Sequence, residues 1–451
     1  MTVDERRLRR LAAVLAAAVV ARMTFHALFV PAFEGPDEPY HLARALAFAS
    51  GPPSRAFAGA PVGPVLADAV RAKPCSESLH RVFGCPLFGS SPARFDVLAP
   101  DRQAPEAGRS LVNTEDNQPP LAYFLVGLLL RACGAFVSSS PSASLLVFRF
   151  FGVLCVAAAL FGPLRALADD PRRAGGLAVG VPLLLLTPGA SEALARASND
   201  APVFLWAALC VAAIKRRSSP GTAAAERRAG AASAVALLTL FLAGPLLKLT
   251  ALPVAAFGVA ALVGRGRPRL ALAGAAAALA VFPVQALRGW RWGGTLEFNA
   301  AATALVGSAG ATLVGLARSS YTLIKTTFWL GEWSFFRAPR LLVIAYFVLL
   351  GAALLLARRR PDPHHRGAHA AGAVVAAGGF LAFAIGNRLY YGDWGGVGGW
   401  YVWTWLPWLA MAASDLVRIE RRAAAWLLAA LAAFVVIANA LWFSVAWPLY
   451  G

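Results

Sequence analysis

The chain has 451 residues, of which 58% are hydrophobic and only 14% charged, and its mean hydropathy is +0.61. Apolar runs of roughly 20 residues recur along it, which excludes an ordinary soluble domain and predicts an all-α polytopic membrane protein. The formal net charge of +19 does not make it a nucleic-acid binder. Its basic residues fall in short clusters between apolar runs, the pattern of cytoplasmic loops beside anionic lipid.

The first apolar run, 11–30, follows Arg6-Arg7-Leu8-Arg9-Arg10 and is long enough to cross a bilayer at ~1.5 Å per residue. Further spans are predicted at 144–164, 174–190, 199–214, 231–247, 250–264, 270–287, 341–357, 368–385, 400–414 and 423–445. With about 11 crossings, all six basic clusters (6–10, 165–173, 215–228, 265–269, 358–366 and 418–422) fall on the cytoplasmic side. The C-terminus then lies outside. One transmembrane domain takes up residues 1–450, with two large outer loops at 31–143 and 288–340.

One run breaks the parity. The stretch 119–137 is apolar, yet counting it as a crossing would invert every basic loop after it. It opens with Pro119-Pro120 and carries Arg131 near its middle, where a charge is costly in a bilayer but tolerable in an interfacial helix. It reads as an outer juxtamembrane or re-entrant helix, with a plain crossing as the competing reading.

Just beyond the first span lies Gly35-Pro36-Asp37-Glu38-Pro39-Tyr40-His41. Carboxylates at a membrane boundary suit proton abstraction from a polar acceptor beside a lipid-borne donor. The plainer reading is a helix cap, since Asp followed by Glu-Pro is a good helix start. Further polar groups reach the same face in Ser191 to Asp200, in 288–340 and in Asn387 to Gly399, with Lys248 near an outer helix end. His41 stands four residues from Asp37, so a divalent metal is conceivable, but no tight His/Cys/Asp cluster with ligand spacing appears. Arg22 and His26, one turn apart inside the first span, keep alive a transporter or flippase of a lipid-linked substrate.

Pro36-Asp37-Glu38-Pro39-x-His41-x-x-Arg44-Ala45 followed by Ser50-Gly51 is similar to the first-loop signature of a family of bacterial multi-spanning proteins. That family resembles a branch of the GT-C glycosyltransferases, alongside aminoarabinose and protein mannosyl transferases. Gln118-Pro119-Pro120-Leu121-Ala122-Tyr123 resembles the entry to their juxtamembrane helix, Asn199-Asp200-Ala201-Pro202 their polar Asp loop, and Leu247-Lys248-Leu249-Thr250 their Lys at an outer helix end. Arg149 sits where they carry an Arg before a crossing, and Thr327 to Trp333 loosely matches a Phe-Trp-Gly stretch. Two departures stand out. Gly399-Trp400-Tyr401 replaces Gly-Arg-Tyr, and Asn117 stands where an acid precedes the Pro-Pro step.

The resemblance implies a GT-C-like bundle with outer juxtamembrane helices in the bacterial cytoplasmic membrane, its active site facing out. It implies inverting transfer of a sugar from a polyprenyl-phosphate donor to a glycan, lipid or protein acceptor, with no obligatory cofactor. Asp37 would be the base and Glu38 secondary. Substrate contacts would come from His41, Glu115, Asp116, Gln118, Arg149, Asp200, Lys248, Arg388 and Tyr401. Among these, Lys248, Arg149 or Arg388 would face the leaving phosphate and Asp200 would shape the acceptor side. The plainer readings are snorkelling for Lys248 and Arg149 and a helix cap for Asp200. A catalytically inactive relative is a further alternative.

Five cysteines are present. Cys75 and Cys85 lie in the long outer loop, where an oxidising exterior favours a disulfide; two free thiols, or two metal ligands joined by His80, are the competing readings. Cys133, Cys155 and Cys210 fall in apolar helices and read as small hydrophobes.

Overall fold

The computed structural model describes residues 3–35, 37–51, 61–73, 75, 80, 84–85, 113, 118–134, 140–168, 175–216, 222–287, 309–328, 339–359, 365–391, 394 and 398–450. α1 (Val3–Phe29) leads into a region holding α2 (Glu38–Ser50), α3 (Pro64–Arg71) and α4 (Leu121–Ala132). α5 (Pro141–Phe161) starts with a proline in its first turn behind Ser140, whose Oγ accepts from the Ala143 amide, as helix starts favour. α6 (Pro163–Ala168) follows.

Next comes a broken segment. A π-helical turn (Gly175–Gly180) runs into α7 (Val181–Leu185), and α8 (Pro188–Ala195) leaves it at 82°. α9 (Asp200–Arg216), α10 (Thr222–Leu247) and α11 (Leu252–Val263) come next, with Lys248 extended between the last two. The remainder is α12 (Pro268–Leu279), α13 (Val281–Leu287), α14 (Ala309–Phe328), α15 (Arg340–Leu356), α16 (Arg366–Tyr391), α17 (Trp400–Leu416) and α18 (Arg421–Tyr450). Apart from a two-residue strand pair, β1 (Arg358–Arg359) and β2 (Val417–Arg418), the described elements are helical.

α9 lies at the centre, where Phe204, Ala207, Cys210 and Val211 are buried in the largest apolar cluster, against residues of α1, α5, α10, α11 and α17. The periphery is the reverse: Leu355 of α15 is 88% exposed and Trp426 of α18 is 77% exposed. Bare Leu and Trp on a bundle's outside are costly in water and natural in lipid. All-α membrane protein is therefore what the architecture supports.

Each of the 11 predicted spans falls on helix, but among the described residues five helices are long and apolar enough to cross alone, or six with the bent pair counted as one. The apolar stretches on either side of Lys248, Ser233–Leu247 and Leu249–Val263, are short, and α9, with 17 residues, rises only about 25 Å against a hydrocarbon core of ~30 Å.

The basic clusters meet at one end of the bundle. Arg9 and Arg165 line one groove with Leu177, and Ser414 lies against Gly176. Asp415 contacts His369 at 3.4 Å, Arg265 contacts His365 at 3.2 Å, and Lys215 acts electrostatically on that same His365. Arg358 pairs with Arg418 across the strands. Each of the six clusters has a member in this chain of contacts, as the parity argument requires. The other end of α17 carries Trp400 and Tyr401.

α4 has 12 residues and rises about 18 Å, short of the ~30 Å hydrocarbon core, as does the equally long α11. It packs on α2 so closely that a Cβ on Gly127 would lie 2.5 Å from the Phe48 Cβ. Arg131 is not stranded: its guanidinium donates to the carbonyls of Phe48, Ala49 and Gly51 at 2.9–3.0 Å. It thereby satisfies the open end of α2. α2 and α4 thus form a two-helix unit in which Arg131 caps its partner helix.

Cys75 and Cys85 are bridged, with Cα atoms 6.0 Å apart, and the His80 Nδ1 hydrogen-bonds the Cys85 carbonyl at 2.6 Å. Replacing both cysteines by serine should cost roughly 2–3 kcal/mol in denaturant melts of the detergent-solubilised protein, the value for closing so short a loop. Topology is tested by labelling in a background lacking the free thiols. Ala132→Cys should react with an impermeant reagent in intact cells and Arg269→Cys only after permeabilisation. An unreactive Ala132→Cys together with a reactive Arg269→Cys would invert the orientation.

Candidate functional site

The site is built around Glu38 and Arg149. Arg149 projects from α5, and its Nε and Nη2 hold the Glu38 carboxylate at 2.7 and 2.6 Å. Its remaining N–H groups donate to the carbonyls of Ala27, Val30 and Pro31 at 3.0, 2.6 and 2.9 Å. All five guanidinium donors are engaged. Glu38 also accepts from the Gly35 amide at 3.1 Å and the Ala197 amide at 2.9 Å. One buried ion pair therefore ties the end of α1, the start of α2, α5 and the segment after α8 together.

That pairing revises two expectations. The Glu38 carboxylate is fully buried and filled with donors, so it has no lone pair left to serve as a secondary base. Arg149 has no donor left for a leaving phosphate, and it does not snorkel, being 3% exposed. Both hold neighbouring elements together.

Asp37 is different. It precedes α2 in the left-handed conformation, φ 60° and ψ 8°, and its side chain makes no capping hydrogen bond. Non-glycine residues enter that region at a cost, and such strain gathers at functional positions. The capping reading thus loses its hydrogen bond. Among the described residues its carboxylate has no hydrogen-bond or ion-pair partner.

Opposite stands a second ion group. Asp200 opens α9, with its carboxylate between Lys248 Nζ at 2.5 Å and Arg196 Nη2 at 2.8 Å. It is capped rather than capping: the Asp200 amide donates to Ser198 Oγ at 3.2 Å. Lys248 reaches in from the break between α10 and α11 and is 5% exposed, so it is a buried partner and not a snorkelling one. Gly152 of α5 lets the end of α8 pack against it, since a Cβ there would lie 2.9 Å from the Leu194 carbonyl. α17 supplies an aromatic wall, with Arg196 over Trp400 at 5.2 Å and Lys248 over Tyr401 at 5.0 Å. Asn199 reaches Gln118 at 3.4 Å. His41 meets the Tyr123 hydroxyl at 2.7 Å, and Arg44 lies over the Tyr123 ring at 4.4 Å.

The two groups feel each other. Burial raises the Asp37 carboxyl above the ordinary carboxylate range; Arg196 and Lys248 pull it down and Asp200 pushes it up again. Part of the residue reaches solvent, but desolvation of the carboxylate dominates. His41 is held well below the ordinary imidazole range, first by burial and then by Arg196 and Lys248, with Asp200 opposing. It is neutral at pH 7.

Of the predicted site residues, Asp37, His41, Gln118, Asp200, Lys248 and Tyr401 come together. Arg388 sits half-buried in the last turn of α16, a helix that reaches the group through Phe383, edge-on to Tyr401 at 5.4 Å. Glu115 and Asp116 lie outside the described residues. Sequence reasoning left Arg196, Arg44 and Tyr123 out of the site. Arg196 is four residues before Asp200, a spacing that signals an ion pair only once the break after α8 is known. No group of three or more His, Cys, Asp or Glu that could hold a metal ion occurs among the described residues.

Fold and site together define a helical membrane protein with a buried, nearly balanced charge cluster at the end of its bundle opposite the basic loops. It belongs to the DUF2142 family of predicted membrane proteins, whose model matches residues 23–385 and so includes Asp37, Glu38, Arg149, Asp200 and Lys248. No curated protein and no solved structure matches the chain.

Two predictions follow from the geometry. Glu38→Gln and Arg149→Gln should each destabilise the protein by about 3–5 kcal/mol, the cost of leaving one partner of a buried pair unmatched. Asp37→Asn should do the opposite. Because its folded pKa is raised, the ionised Asp37 costs stability at every pH above that value, a cost absent below the unfolded pKa. Asparagine removes the cost and tolerates the left-handed conformation. Thermal melts at neutral pH should show an unchanged or raised midpoint, whereas a clear fall would make Asp37 a structural cap.

Proposed function

We propose that the chain is a GT-C-type glycosyltransferase that moves a sugar from a polyprenyl-phosphate donor to an acceptor hydroxyl on the outer side of the bacterial cytoplasmic membrane. In this reading it crosses the bilayer eleven times and the Asp37 end faces out. The observation that carries the reading is Asp37 itself, a strained carboxylate without a partner among the described residues, facing two buried cations. Asp200 is neutralised between Lys248 and Arg196, and Glu38 is taken by Arg149. Of these three acids, Asp37 alone remains to take a proton.

The step runs as follows. Asp37 accepts the proton of the acceptor hydroxyl as that oxygen bonds to the anomeric carbon, and the bond from that carbon to the phosphate oxygen breaks with inversion. The departing polyprenyl phosphate gains charge, which the side of the cluster carrying Lys248 and Arg196 stabilises. His41, Gln118 and Tyr401 line the acceptor's approach.

A second reading, a flippase for a lipid-linked substrate, is favoured by the 82° bend between α7 and α8, since broken helices mark midplane sites in transporters. The two separate on one assay. Purified protein in proteoliposomes is given a panel of radiolabelled polyprenyl-phosphate sugars with envelope extract as acceptor. Transfer should appear with at least one donor and fall by about a hundredfold or more in Asp37→Asn. Its acidic limb should lie above the ordinary carboxylate value of ~3.9, because protonation of a raised Asp37 removes the base. Near-normal transfer by Asp37→Asn would end the reading, and donor translocation without transfer would establish the second.

A further inference from the structure

Arg22 and His26 form a separate polar centre inside a candidate span, Arg6–Phe29. Arg22 is seven residues below the end of α1, so about 10 Å along the axis. Its Nε donates to the Asn439 Oδ1 of α18 at 2.9 Å. The Asn439 amide donates in turn to the Leu186 carbonyl at 2.8 Å, in the bend between α7 and α8. Three elements are thus clamped at one point, with the guanidinium over the Trp442 ring at 4.6 Å.

Hydrogen bonding here is incomplete. Buried Nη1 and Nη2 of Arg22, Nε and Nη1 of Arg196, Nδ1 of His26 and Oε2 of Glu192 have no hydrogen-bond partner among the described residues. His26, Glu192 and Arg196 are 2%, 7% and 3% exposed, so bulk water does not satisfy them. Glu192, on α8, acts electrostatically on both arginines, yet no ion pair joins it to Arg22 among the described residues. The unpartnered atoms are mostly arginine nitrogens, which only donate, against a single carboxylate oxygen and one imidazole nitrogen. Buried donors in such excess call for an oxygen-rich anion, and guanidinium forks match phosphate oxygens two at a time.

We propose that the buried polar groups where α1 and α8 meet form a phosphate-binding site, with Arg22 and Arg196 as donors and Glu192 limiting how tightly the anion is held. This deepens the reading above by placing the donor's phosphate beneath Asp37, and phosphate-lipid chemistry is common to transfer and flipping. The test is binding to full-length protein in detergent without acceptor, so it is read independently of transfer. The probes are radiolabelled farnesyl phosphate, inorganic phosphate and farnesol.

Farnesyl phosphate should bind and farnesol should not. Arg22→Gln should weaken farnesyl phosphate binding by about tenfold or more, as loss of a charge-assisted contact does. Glu192→Gln should tighten it, a gain that a merely structural role would not give. Binding of inorganic phosphate with the same dependence on Arg22 assigns the site to the free anion; its failure to bind assigns it to the lipid headgroup. Absence of farnesyl phosphate and phosphate binding overturns the proposal. So does unchanged binding in Glu192→Gln, which decides the matter if Arg22→Gln does not fold.

Discussion

The pairing of Arg149 with Glu38 is the constraint on which the site depends. Five N–H donors meet two carboxylate oxygens and three carbonyls at the end of α1, and the carboxylate in turn takes two backbone amides. Such a pair is stable in a dry interior only when every remaining donor and lone pair is satisfied, as happens here. It also explains Gly35, where a Cβ would lie 2.5 Å from the Glu38 Cδ. Shifting this joint would displace α2, α5 and the Ala197 segment together.

The neighbouring acid follows from that constraint. With Glu38 turned inward to Arg149, the chain enters α2 through a left-handed residue, and Asp37 is left with its carboxylate away from the helix amides it might have capped. Two adjacent carboxylates thereby acquire opposite duties, one buried and compensated, the other strained and available. Asp200 completes the division. Flanked by two cations, it fixes Lys248 and Arg196 in place and has little basicity to offer.

Much of this was legible in the sequence. The apolar runs located the helices, and the basic clusters predicted which loops share an end, because charge placement follows the membrane and needs no tertiary detail. Pro119-Pro120 and Arg131 marked the short helix that packs on α2, and the spacing of Cys75 and Cys85 marked their bridge. What could not be read was which partner each charge takes. Glu38 and Arg149 are far apart in sequence, and nothing local distinguishes an arginine whose donors are all spent from one waiting for phosphate. The bend between α7 and α8 was hidden as well, because 174–190 reads as one apolar span until Pro188 turns it. Arg196 and Glu192 consequently went unassigned.

The charges near Asp37 also bear on how such a site could work. Asp37 and Asp200 face Arg196 and Lys248, so the group is close to neutral by itself, and the two cations hold the Asp37 carboxyl below where burial alone would put it. A phosphate settling beside those cations would offset their pull, and a like charge nearby raises a carboxyl's pKa. Donor binding would then strengthen the base that the transfer reading requires. After transfer, the proton on Asp37 would be favoured for as long as the leaving phosphate stayed, and its departure would return the acid to its resting strength. Base strength and donor occupancy would be coupled through the same two cations, with no movement of the backbone.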